Sequence, residues 1–252
     1  ALFQNKMTDA ANYAEAVLAN SSFSLASTAM DFSKNWVAGN SSPEIIFAYV
    51  NNSRASSPLN FTLYVNDTDG SWNYAPSDWC YNSLFADDNT LSRKGDVRLK
   101  ATFTSQDANR VIKYPNGTYQ LAETSDYTCT PVVISRISEM YLIKAEALGK
   151  TNGAAALVEY MKKRYTTAPS EAAIKALSDK EYQTLILDER RREFYAEGMR
   201  WQDIKRTNRL ELLETLDGRT YLMYYPIPQD EIDMAGTVAY PQNPGYAGYT
   251  GN

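Results

Sequence analysis

The residue types that could do chemistry in this chain gather in two places. Residues 70–82 hold Trp72, Tyr74, Trp79 and Tyr81 among Ser71, Asn73, Ser77, Asp78 and Asn82, with Gly70 and Pro76 and no helical periodicity. Flat aromatic faces beside short polar side chains suit a sugar: the apolar face of a pyranose stacks on a ring while amides and carboxylates take its hydroxyls. The same aromatics would equally serve to plug a loop against a hydrophobic core. Residues 188–206 hold Glu189, Glu193 and Glu197 at i, i+4 spacing, interleaved with Arg190, Arg191 and Arg192. Two carboxylates are what a glycoside hydrolase needs, one of them with a raised pKa. Adjacent arginines act the other way, holding acids ionised in ion pairs. Phe194, Tyr195, Met199, Trp201 and Ile204 are threaded between the charges. That mixture reads as a helix–turn–helix corner with paired charges and Gly198 as a helix stop. On this reading the corner is structural, and Arg191→Ala or Arg200→Ala should cost stability before it costs binding.

Other chemistries find no residues. The chain has no histidine, which removes Ser–His and Cys–His nucleophile pairs and every imidazole zinc site. Cys80 and Cys129 are the only cysteines; they either form a disulfide or remain two buried thiols. Residues 66–70 resemble the start of a calcium loop, but aligning Gly70 with the loop's sixth position puts Pro76 where the bidentate glutamate belongs. Asp87, Asp88 and Asn89 read as acids of a solvated turn. No glycine-rich loop is placed to cradle phosphate. No catalytic residue, metal ligand or cofactor is therefore assigned. A formal charge of −5 argues against nucleic acid, whose phosphates require a basic surface. No apolar run approaches the ~20 residues of a membrane helix.

The elements that must position these residues fall into three textures. Residues 1–25 carry Ala10, Ala11, Ala14, Val17 and Leu18 on one helical face. Residues 26–130 are rich in Ser, Asn, Asp and aromatics, with β-like pieces at 44–50, 60–65, 98–103 and 110–114. From residue 131 helical spacing returns, at 132–149, 153–165, 170–177, 179–197 and 200–206. An extended tail begins at Tyr221. Nineteen tyrosines, against eight phenylalanines, supply apolar faces with polar tips.

Residues 189–206 closely resemble the ERRxEF-x-x-EG-x-R-W-x-D-(L/I)-x-R signature of the SusD/RagB family. The helix from Arg136 to Ala147, the segment Tyr225-Pro226-Ile227-Pro228-Gln229-Asp230-Glu231-Ile232 and the closing Gln242-Asn243-Pro244-Gly245-Tyr246 are similar to further family motifs in the same order. Asp96-Val97-Arg98 and residues 42–47 match more weakly. The resemblance implies a mainly α fold with a minor β component: a tetratricopeptide-like helical scaffold, with small residues such as Ala145 and Ala154 between helices, and a loop-rich, short-stranded middle region. It implies a non-enzymatic, surface-exposed lipoprotein of the outer membrane. Such a protein captures an oligosaccharide or other nutrient and passes it to a TonB-dependent, SusC-like transporter. Family members are longer and begin with a lipoprotein signal, so this chain is expected to correspond to a C-terminal portion, held at the membrane only through a lipid anchor it does not contain. The middle region supplies part of the ligand surface in this family, which places the expected site at Trp72, Tyr74, Trp79 and Tyr81. Two other classes remain: a hydrolase using the paired glutamates, and a tetratricopeptide-type scaffold for a protein partner. Release of sugar, retention without release, or neither would separate the three.

Overall fold

The computed structural model describes residues 1–37, 42–50, 75–103, 111–114, 130–213, 216–235 and 240–247, which divide between two compact units, 1–199 and 200–252. In the first unit, helices follow the apolar spacing. α1 (Met7–Leu18) buries Ala10, Ala11 and Ala14 and packs on α4 (Ile137–Arg164). α2 (Ala29–Ser33) is capped by Thr28, whose side chain accepts from the Asp31 amide. α4 is two helical arms joined at Gly149, whose φ of 65° glycine adopts without a Cβ clash. Where the second arm leaves this turn, a Cβ on Gly153 would overlap the Ala145 carbonyl. Ala145, Ala154 and Ala156 lie with Leu142, Leu157, Tyr160 and Met161 in one buried cluster, so small residues do bring the helices together. α5 (Glu171–Ala176) and α6 (Asp179–Glu193) complete that cluster through Ile174, Tyr182, Leu185 and Ile186. The start of α6 is fixed by a capping box: Ser178 accepts from the Glu181 amide, and Glu181 accepts from the Ser178 amide at 2.7 Å.

Among the described residues the β component is two short antiparallel ribbons. β1 (Ile45–Tyr49) pairs with β3 (Val132–Arg136), and β2 (Lys94–Asp96) with β4 (Tyr165–Thr167). A second buried cluster gathers Phe32, Trp36, Leu84, Phe85, Ala101, Phe103, Val111 and Tyr114.

Several expectations need correction. Residues 98–103 are not a strand but mostly helix, α3 (Val97–Thr102): the Asp96 carboxylate accepts the Arg98 amide and starts the helical turn, leaving only Phe103 to bridge Val111. Residues 132–136 are strand, as β-branched Val132, Val133 and Ile134 prefer, so the long helix starts only at Ile137. The helix expected to reach residue 197 ends at Glu193, followed by a turn in which Ala196 has φ 61°. Gly198, φ 78°, therefore precedes α7 (Met199–Thr207) instead of stopping α6. Asp88 behaves as a turn acid, accepting the amides of Thr90 and Leu91. The expected strand at 60–65, the loop at 66–70, Arg110 and Cys129 lie outside the described residues; Cys80 is a buried free thiol.

The second unit contains α7, 3₁₀ turns at Leu210–Leu212 and Thr220–Met223, and α8 (Gln229–Met234), which interrupts the expected extended tail. Its closing motif is a clamp. Gln242 accepts the Ile227 amide at 2.7 Å and donates to the Ile227 carbonyl at 2.8 Å, Asn243 donates to the Tyr225 carbonyl, and Tyr246 to that of Tyr224. No helix among the described residues is long and apolar enough to cross a membrane.

Candidate functional site

The acids of α6 are held in a buried ionic network that joins distant parts of the first unit. Glu193 is its hub: Arg164 donates to its carboxylate from Nε at 3.0 Å and Nη2 at 2.9 Å, Tyr160 at 2.8 Å, Arg98 and Arg136 at 3.3 Å. Arg98 also bonds both oxygens of Asp96 and, at 2.9 Å, Glu189. Arg164 reaches Glu44 at 2.8 Å. Lys113 donates to the backbone carbonyls of Glu193 and Tyr195, closing the turn after α6, and pairs with Glu197. Burial raises the Glu193 carboxyl, but Arg164, Arg136 and Arg98 outweigh it and hold it well below the usual carboxylate range. Burial likewise opposes ionisation of Glu189, yet Arg192, Arg98 and Arg93 bring it down to about 2. A general acid needs the opposite shift. For Glu189 and Glu193 this is the reverse of what the paired-carboxylate reading requires.

Of the three adjacent arginines, Arg190 and Arg192 are buried, and Arg192 pairs with Glu189 at 2.7 Å. Arg191 turns outward. Its guanidinium stands 4.3 Å from the centre of the Trp79 ring and donates no hydrogen bond to a described residue. Trp79, 37% exposed, opens a single π-helical turn, Cys80–Leu84, closed by the Phe85 amide on the Cys80 carbonyl. Such turns are rare and recur at functional sites. Both ends of this one are held: the buried Cys80 thiol faces the Tyr195 hydroxyl at 3.9 Å, and the Leu84 carbonyl accepts from Arg192 at 2.6 Å. α6 therefore fixes the turn through Arg192 and backs the indole through Arg191, a cation–π contact of about 0.5–1 kcal/mol at an exposed position.

Among the four aromatics expected to stack on a ligand, Trp79 is the one the structure describes at the surface. Tyr81, in the same turn, packs its ring on Phe103 at 5.4 Å, and its hydroxyl is buried with no partner among the described residues. Burial, with the nearby Cys80, raises its pKa. Trp72 and Tyr74 lie outside the described residues. Arg191, expected to be a stability residue, is half-buried and set against the Trp79 ring. In the second unit Arg200 donates to the Leu212 carbonyl, and Asp203 pairs with Arg206 at 2.9 Å.

Comparison with known proteins bears on the whole arrangement. A profile of the SusD family matches residues 85–219. SusD-like protein P38 of Formosa agariphila is 30% identical over 142 residues, covering 51% of this chain and 27% of that protein. Surface glycan-binding protein A of Bacteroides thetaiotaomicron, also solved with laminarihexaose, superposes with a TM-score of 0.60 at 21% identity over 97% of this chain. The protein of the same name from Bacteroides fluxus gives 0.62 at 20% identity, again over 97%. The chain spans 61% and 60% of those two structures. At such identities the likeness is one of fold.

Proposed function

The chain belongs to the SusD family, and we propose that it captures an oligosaccharide at the cell surface for import through a partner TonB-dependent outer-membrane transporter. The observation that carries this is the half-exposed Trp79 indole, backed by Arg191 and set on a turn fixed to α6. A pre-positioned ring loses little freedom on stacking, and the neighbouring Asp78 carboxylate and Asn82 amide lie in the same stretch as hydrogen-bonding groups for hydroxyls. Trp72 and Tyr74 are proposed as further ring contacts from the preceding residues; Tyr81 supports the turn from inside. Capture here is binding without bond cleavage. The surface glycan-binding proteins that share the fold support that choice, as do the low pKa values of the buried glutamates. Modest affinity suffices close to a transporter mouth, where local concentration is high. The anchoring is proposed to be a covalent lipid.

Affinity electrophoresis against a panel including laminarin, with sugar release followed in parallel, tests the proposal. Trp79→Ala should weaken retention roughly two- to tenfold, as expected for losing ~0.5–1.5 kcal/mol of stacking, with a melting temperature lowered by no more than a few degrees. Unaltered retention by a stably folded Trp79→Ala variant would remove the platform, and release of sugar would favour a hydrolase.

A further inference from the structure

The second unit carries a cleft of its own. Tyr221, Tyr224 and Met223 wall a groove of about 360 Å³ whose polar groups are Lys205, Asn208 and Thr220, with no carboxylate among its described lining residues. That volume falls in the range of small-molecule pockets. The walls are rigid for a reason visible in the backbone. The clamp from Gln242, Asn243 and Tyr246 bonds only main-chain atoms of residues 224–227. Gly245, φ 89°, lies so close to the Tyr221 ring that no larger residue would fit. The ribbon is thereby fixed while its side chains stay outside: Tyr224 is 60% exposed and its neighbour Tyr225 90%. Asn208 ends α7 with φ 54°, a left-handed position asparagine tolerates, and so turns into the groove. Lys205 stands 5.4 Å from the centre of the Tyr224 ring and has no carboxylate partner among the described residues.

We infer that this groove is a second saccharide site, selecting a sugar that carries a carboxylate or sulfate ester. The sugar ring packs on Tyr224 and Tyr221, Asn208 and Thr220 take its hydroxyls, and Lys205 meets the anionic substituent. Two rings with an amide, a hydroxyl and an ammonium match an acidic saccharide better than a protein side chain, which needs less hydrogen bonding from its pocket. The inference rests on the glycan-capture reading but on different residues, so the two fail separately.

Calorimetric titration of the full chain with oligogalacturonate, a sulfated galactan oligosaccharide and neutral laminarihexaose tests it, with Tyr224→Ala, Lys205→Gln and Trp79→Ala side by side. Tyr224→Ala should weaken binding of an acidic probe at least tenfold without moving the melting temperature, because the ring is 60% exposed. Lys205→Gln should abolish the preference for acidic over neutral probes. The carboxylated and sulfated arms identify which substituent is taken. Acidic probes that bind with affinity insensitive to Tyr224→Ala overturn the site and leave the Trp79 proposal standing. Binding of neutral probes alone through Tyr224 overturns the charge selection. If Tyr224→Ala instead keeps all sugar binding but loses co-purification with the transporter, the groove is a protein interface and the inference is wrong. A chain that binds none of the probes defeats it as well.

Discussion

A single carboxylate shows how this chain uses charge. Glu193 is fully buried and receives Arg98, Arg136, Arg164 and Tyr160. Removing it takes from three buried guanidiniums the carboxylate they share, leaving Arg98 to Asp96 and Glu189, Arg164 to Glu44 and Arg136 to Glu197. Breaking a buried pair from one side costs roughly 3–5 kcal/mol, so Glu193→Ala should lose about that much in urea unfolding. Arg191→Ala should cost under about 1 kcal/mol, because the contact that its guanidinium makes among the described residues is with a half-exposed ring face. Equal losses for the two variants would contradict the division between buried network and outward platform. The sequence made part of this legible. Glutamates beside arginines on one helix, with large apolar residues between, pointed to pairing over catalysis. It did not reveal which arginine turns outward, because three consecutive positions on a helix face three directions and only the packing of α6 decides which are buried. Nor did it reveal partners as distant as Glu44, Arg98 and Lys113, whose approach depends on tertiary folding.

At the level of elements, periodicity was a good guide wherever a helix buried one face, as α1 and α6 do. It failed where a cap overrode local pattern. Residues 98–103 alternate like a strand, but Asp96 captures the Arg98 amide and commits them to a helical turn. The end of α6 was missed because residues 194–197 keep helical composition, whereas Lys113 draws the carbonyls of Glu193 and Tyr195 out of the helical path. The π-turn that presents Trp79 has no sequence signature. The bend in α4 offers a test at this scale. Gly153→Ala would normally favour a helix by up to about 1 kcal/mol, but its Cβ would meet the Ala145 backbone carbonyl, which cannot rotate away as a side-chain end could. Overpacking against fixed atoms costs ~1–3 kcal/mol, so the net effect should be destabilising by up to about 2 kcal/mol. A variant that melts higher than the parent would show that the two arms of α4 are less tightly apposed than they appear here.

For the first unit as a whole, the network makes stability a function of pH with a defined sign. The Glu189 carboxyl lies at about 2 in the folded chain against an ordinary 4.5, and Glu193 is also held well below that value. The folded state thus releases these protons more readily than the unfolded chain. Their stabilisation is fully present above pH ~4.5 and is lost progressively as the pH falls toward ~2, which for Glu189 alone amounts to about 3 kcal/mol. Tyr160 and Tyr165 behave oppositely: burial raises both well above 10, so the folded chain keeps these protons longer than the unfolded chain does. Their contribution is present below pH ~10 and lost above it. Thermal melts should therefore show a plateau across neutral pH, a steep fall below about 4.5 and a second fall above about 10. In Glu189→Gln the acid fall should become shallower, because the group whose proton uptake drives it is gone, even though the plateau itself drops. An acid limb of unchanged steepness in that variant would mean that carboxylates outside the network, and not Glu189, set the response of this unit to acid.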